Sequence, residues 1–192
     1  MTTTFLNPDQ VDALRELANI AMGRAANALA QIIGIEVTLN VPNVEEFTID
    51  ALIAQIVIDA EQHDDIVLTR QAFSNGLAGE AVVLFFPPIA GDQPVTEEVD
   101  EELLLEMTNI IVGAFFGSLT EPLDIVLYFS PPSIVPPEGL TNYADRGWDC
   151  ALVLDIELGT HGFRRNCRLL MVFPETSAEK IRNAVDKLLM AL

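Results

Sequence analysis

Basic side chains are scarce, with 10 Lys and Arg against 29 Asp and Glu, a formal charge of −19 over 192 residues. Nucleic acids are held by neutralising their phosphates with Lys and Arg, so this balance argues against a nucleic acid as a direct partner. It argues against an anionic membrane surface for the same reason. Cysteine and histidine are scarcer still, at two each. His63 in Gln62-His63-Asp64-Asp65 and His161 in Gly159-Thr160-His161-Gly162 sit in turn-like contexts without a nearby Cys or second His. Neither reads as a metal site by spacing. Cys150 and Cys167 flank an expected hairpin, and pairing its strands around Thr160-His161 sets Cys150 opposite Met171 and Cys167 opposite Leu154. The thiols then lie about four residues apart along the strands, roughly 13 Å, too far for a disulfide. Long apolar runs are absent too. The longest uncharged stretches, Ala81 to Ala90 and Met107 to Thr120, fall short of the roughly 20 residues that cross a bilayer, and Asn109 interrupts the second. Met1-Thr2-Thr3-Thr4-Phe5 has no basic segment followed by an apolar one, so a cytoplasmic location is expected.

What the chain does have is a core. Half of its residues are apolar and the mean hydropathy is +0.33, the composition of a folded chain with its charge outside. Asn7-Pro8-Asp9-Gln10 suits a helix start, with Asn7 as N-cap, Pro8 at the first position and Gln10 completing a capping box. Val11, Leu14, Leu17, Ala18, Ala21, Ala25, Ala28, Leu29 and Ile32 then recur at helical spacing up to Gly34, as one helix or two in sequence. Ile35 to Leu39 alternates like a strand, with Pro42 expected to shape a turn after it. Ile56 to Ala60, Asp65 to Phe73 and Glu80 to Phe86 read as further strands, the last two joined by a hairpin at Asn75-Gly76. Pro87-Pro88 closes that section and Gly91-Asp92-Gln93-Pro94 reads as a linker.

Beyond the linker the pattern starts again. Glu16 matches Glu106, Asn19 matches Asn109, Ile20 matches Ile110 and Gly23 matches Gly113, and the match runs without a gap through Leu29/Leu119 and Ile35/Ile125 to Pro42/Pro132. A strand pair ending in Phe86-Pro87 is echoed by one ending in Phe173-Pro174, after which Thr176-Ser177-Ala178-Glu179 is expected to cap a last helix. The expected fold is α+β: one domain over 1–192 made of two pseudo-two-fold related helix-then-strand units, about 1–90 and about 91–192, sharing a continuous sheet with long helices packed on it. Two independent domains are disfavoured, since each would be of a size at which a lone core is marginal.

Asp12, Glu16 and Asn19 are spaced i, i+4, i+7 and lie in one line along a helix face; Glu102, Glu106 and Asn109 form the same stripe in the second unit. A solvated face would explain either stripe alone. Asn is a weaker helix former than Lys, Glu or Ala, however, and its presence three residues after Glu in both units asks for a reason, of which shared descent is one.

The spacing (Asp or Ser)-x-x-x-Glu-x-x-Asn, then 22 residues, then Pro resembles the signature of the CheC/CheX/FliY phosphatases of bacterial chemotaxis. It reads Asp12, Glu16, Asn19, Pro42 and again Glu102, Glu106, Asn109, Pro132. Asn19-Ile20-Ala21-Met22-Gly23-Arg24-Ala25-Ala26-Asn27-Ala28-Leu29 is similar to the family's Asn-Ile-Gly-x-Gly-x-Ala-x-x-Ala-Leu, with Ala21 where Gly is common and Arg24 where Asn is common. Glu102 stands where the family has Asp or Ser. The resemblance covers nearly the whole chain and is most like CheC, which has two motifs. It implies hydrolysis of an aspartyl phosphate on a CheY-type response-regulator receiver. Asn19 and Asn109 would orient the attacking water, Glu16 and Glu106 would pair with a cation on the receiver, and Asp12 and Glu102 would extend the contact. No cofactor of its own is implied, because the receiver brings Mg²⁺. The resemblance also implies a CheD-like deamidase partner, on which no residue of the sequence decides. The competing expectation is a non-catalytic module that binds a receiver or serves as a structural subunit, like the FliM middle domain of the flagellar switch.

Overall fold

The computed structural model describes residues 5–62, 65–88, 101–136, 143, 146–160 and 163–191. His63, Asp64, His161 and the Gly91–Pro94 linker lie outside them. The first helix, α1 (Pro8–Ile33), starts as its sequence dictates. Asn7 Oδ1 accepts from the Gln10 backbone N–H at 2.9 Å, Gln10 Oε1 accepts from the Asn7 N–H at 2.8 Å, and Pro8 occupies the first turn. It ends at Gly34, whose φ of 78° is the left-handed conformation that a glycine C-cap takes at little cost. It is one continuous helix. Leu14, Leu17, Ala18, Ala21, Ala25 and Leu29 are buried, whereas Ile32 is 54% exposed, one turn past the point where the helix leaves the core.

Next come β1 (Val37–Thr48), α2 (Ile49–Gln62), β2 (Val67–Ser74) and β3 (Gly79–Pro88). The second half supplies α3 (Glu101–Thr120), two short bridges, β4 (Tyr128–Phe129) and β5 (Ser133–Ile134), then β6 (Cys150–Thr160), β7 (Phe163–Phe173) and α4 (Glu175–Ala191). All seven strands form one antiparallel sheet in the order β1-β6-β7-β3-β2-β4, with β5 also on β2. The order reads the same from both edges when β1, β2 and β3 are exchanged for β4/β5, β6 and β7. Each unit's first strand thus pairs with the other unit's hairpin, and β3 and β7 meet at the centre.

Alternation along the strands separates two cores. Ala81, Val83, Phe85, Leu154, Ile156, Leu169 and Met171 face α1, α3 and α4, while Val82, Leu84, Val153, Leu170 and Val172 face α2. On the α2 side buried Glu80 accepts from Tyr143 Oη at 3.0 Å and from Arg146 Nη1 at 2.8 Å. Arg168 ties α2 to the sheet through Asp59 (2.5 Å) and Asp155 (2.8 Å). At the hairpin between β2 and β3, Gly76 has a φ of 100°, and a Cβ there would lie 2.6 Å from Ile125, so this tip admits only glycine.

Several expectations are corrected. Ile56 to Ala60 is not a strand but part of α2: Ile49, Leu52 and Ile56 recur at helical spacing and pack on the sheet, and the Thr48 hydroxyl accepts from Ala51 N–H at the helix start. Its β-branched residues, not its period, suggest a strand. Ile35 precedes β1, which begins at Val37. Pro42 shapes no turn; it lies within β1, where the ladder to β6 shifts register between Asn40 and Asn43. Edge strands and bulges are where a residue without an N–H fits in a sheet. Helix α4 begins at Glu175, with the Pro174 carbonyl accepting from the Ser177 and Ala178 N–H groups, so Thr176 is inside the helix and no cap. The Ser177 hydroxyl instead bonds both backbone groups of Ala78. In the β6–β7 hairpin Cys150 pairs with Phe173 and Cys167 with Ile156, a register two residues away from the expected one. Both thiols are free. Helix α3 is long and apolar enough by length and composition to cross a membrane, which the uncharged-run criterion misses, but just over half of its apolar window is buried inside the fold.

Candidate functional site

The two stripes lie where helical spacing places them. Asp12, Glu16, Glu102, Glu106 and Asn109 are exposed and Asn19 is half-buried. Asp12 accepts from Arg15 one turn on, at 2.9 Å. Glu16 and Glu106 make no hydrogen bond or ion pair among the described residues, and each points its carboxylate to solvent one turn before its Asn. Next to each Asn the helix is bare. Gly23 and Gly113 have no atom within 4 Å of a would-be Cβ, although glycine inside a helix costs about 1 kcal/mol relative to alanine. Ile20 beside the first Asn is 51% exposed. Beyond Asn109 a groove of about 380 Å³ follows α3 past Gly113, Phe116, Gly117 and Thr120 to Val126 and Phe129.

The two asparagines are held differently. Asn19 Oδ1 accepts the Val41 backbone N–H at 2.8 Å, and its Nδ2 donates to the Val41 carbonyl and to the Arg15 carbonyl, both at 3.0 Å. Both amide hydrogens are used. The long spacing of the motif has its physical meaning here: Val41 is the last of the 22 residues between Asn19 and Pro42, and the side chain docks on the bulge of β1 where the ladder is broken. The second unit has the same bulge. Phe129 pairs with Phe73 and Ser133 with Arg70, so Pro131 and Pro132 oppose Gln71, just as Val41 and Pro42 oppose Ile156. Pro131, in the place of Val41, has no N–H to give. Asn109 Oδ1 accepts instead from Gln71 Nε2 at 3.0 Å, and its own Nδ2 makes no hydrogen bond among the described residues.

No hydrogen bond joins Glu16 and Asn19 to Glu106 and Asn109; the two pairs are separate sites on separate helices. Among the described residues no group of three or more His, Cys, Asp or Glu could hold a metal ion. Burial pushes the Cys167 thiol up to about 12 and raises Cys150 as well.

Residues 10–46, which hold Asp12, Glu16, Asn19 and Pro42, match the model of the CheC-like family. The chain is 22% identical to the CheY-P phosphatase CheC of Bacillus subtilis (strain 168) over 200 residues, covering 92% of this chain and 93% of that protein. In the 10–46 segment the chain resembles the CheC-like family. FliY of Thermotoga maritima has a similar fold, with a TM-score of 0.69 at 23% identity over 96% of this chain and 100% of that one. FliM in its complex with SpeE from H. pylori has a TM-score of 0.66 at 12% identity over 97% and 100%. At these identities the likeness is one of fold.

Sequence reasoning misses two residues of this arrangement. Val41 acts through its backbone and leaves no trace in side-chain chemistry. Gln71 does leave one: it is a polar residue on the inward side of β2, between Thr69 and Phe73, at 1% exposure.

Proposed function

We propose that the chain hydrolyses the aspartyl phosphate of a CheY-type receiver domain, with Asn109 as the principal water-orienting residue. The observation that carries this reading is the state of Asn109: its amide is exposed on α3, anchored through its oxygen, with its NH₂ uncommitted among the described residues and the unpaired Glu106 one turn away. An acyl phosphate is already activated. Water attacks phosphorus in line, the bond from phosphorus to the Asp carboxylate oxygen breaks, and the products are the free carboxylate and inorganic phosphate. The receiver's own Mg²⁺ and Lys would neutralise the phosphoryl oxygens, so the helper's task is to align the water, which a neutral amide does by hydrogen bonding. Glu106 would pair with a receiver cation, and Glu102 would extend the contact. A CheD-like partner finds no added support.

At the first motif one observation favours the second reading, that of a binding surface. Asn19 has both amide hydrogens committed to the backbone of its own chain, so Glu16 and Asp12 would dock a receiver there while Asn19 holds β1 in place. Rotation of Asn19 away from Val41 would be needed before it could serve a water. The test uses a CheY-type receiver phosphorylated with acetyl phosphate. Its phosphate decay should be accelerated by the wild-type chain and not by the Asn19→Ala/Asn109→Ala double variant; equal decay with both proteins would sink the catalytic reading and leave the binding module.

A further inference from the structure

We infer that Gln71 is the positioning residue of the second site, doing with a side chain what the Val41 backbone does at the first. The inference rests on the reading of Asn109 as the residue that orients water. The correspondence follows from the sheet ladders. Leu39–Leu158 and Val44–Leu154 in one unit answer to Phe129–Phe73 and Ile134–Thr69 in the other, so Gln71, midway between Thr69 and Phe73, answers to Ile156. Ile156 is a core residue at 1% exposure, and Gln71 is as deeply buried. The place therefore accepts an aliphatic side chain in this fold.

The amide at 71 is costly to keep. Its Oε1 is buried and has no hydrogen-bond partner among the described residues, an arrangement that buried polar groups avoid unless another part of the same group is needed. The needed part is the NH₂. Nε2 donates to the Ser130 carbonyl at 2.9 Å and to Asn109 Oδ1 at 3.0 Å. A backbone carbonyl can only accept, so Ser130 fixes which end of Gln71 is the donor. That donor in turn fixes Asn109: a flipped Asn109 amide would set NH₂ against NH₂. The chain Ser130 C=O, Gln71 NH₂, Asn109 Oδ1 thus turns the Asn109 NH₂ and the second lone pair of Oδ1 toward solvent. The replacement of Val41 by Pro131 explains why a side chain is required at all, since the backbone donor used at the first site is missing at the second.

The test compares Gln71→Leu in the wild-type and Asn109→Ala backgrounds, on a CheY-type receiver loaded with acetyl phosphate. Gln71→Leu should lower kcat roughly tenfold through misorientation of the amide, with KM unchanged and the melting temperature equal or higher, and should have no further effect once Asn109 is Ala. In the side-chain amide region of the ¹⁵N–¹H spectrum, Gln71→Leu should move the Asn109 NH₂ pair toward free-amide shifts and leave the Asn19 pair in place. An unchanged Asn109 pair would overturn the positioning role whatever the activities. An Asn109 pair that moves, in a protein whose Asn109→Ala variant is fully active, would uphold the positioning and overturn only the reading of Asn109 as the residue that orients water. A kcat loss from Gln71→Leu that persists in the Asn109→Ala background would also overturn the inference.

Discussion

The ground beneath Asn19 and the ground beneath Asn109 differ more than their identical motifs suggest. Under Asn19 the helix rests on apolar residues: Ala18 is fully buried and its strand-side counterparts are Leu154 and Ile156. Under Asn109 the same places hold Thr108, Thr69 and Gln71; the two threonine hydroxyls bond at 2.6 Å and Gln71 reaches Asn109 itself. One unit holds its Asn against a strand through backbone groups, and the other props its Asn from below with side chains. A motif read as letters says that the sites are equal. Hydrogen-bond accounting says that one amide is committed and the other is not, and commitment decides what an amide can offer a partner.

Substitutions should separate the two sites. The largest expected effect is on activity: Asn109→Ala should reduce accelerated phosphate decay by about 10²-fold, whereas Asn19→Ala should stay within about threefold of wild type, both read as single-turnover decay of phosphorylated receiver. Stability should show the reverse order. Asn19→Ala abandons three hydrogen bonds, two that join α1 to β1 and one within α1, and should cost about 1–3 kcal/mol, while Asn109→Ala should cost about 1 kcal/mol or less, by denaturant midpoint. Thr108→Val, which leaves the buried Thr69 hydroxyl with only its long contact to the Val83 carbonyl, should cost about 1 kcal/mol, and Thr69→Val added to it should recover much of that loss, since the first unit fills the same places with Leu154 and Ala18. The smallest effect belongs to Asp12→Ala: its pairing with Arg15 is exposed and should be worth less than about 0.5 kcal/mol.

Local signals in the sequence read true. The Asn7–Gln10 box and Gly34 bound α1 because capping is decided within a few residues, and the motif stripes fall on exposed faces because helical spacing alone puts them there. Expectation and structure part where the deciding contact is distant or where the pattern is degenerate. The β6–β7 register lies two residues from the expected one because alternation of period two leaves every side chain on the same face in either register. The β-branched Ile and Val of α2 concealed a helical period. Pro42 looked like a turn because its true setting, a bulge on an edge strand facing Ile156, depends on a partner strand over a hundred residues away. The difference between the two sites was hidden for the same reason: it resides in Val41 against Pro131 and Ile156 against Gln71, none of which belongs to the Asp/Glu/Asn stripe.

On this reading the Asn109 amide is free to meet a receiver and the Asn19 amide is not. The most direct test is the side-chain ¹⁵N–¹H spectrum of the chain titrated with a CheY-type receiver that carries beryllofluoride in place of the phosphoryl group. The Asn109 NH₂ resonances should shift on binding while those of Asn19 stay where its bonds to Val41 and Arg15 hold them; movement of Asn19 with Asn109 unchanged would refute the assignment.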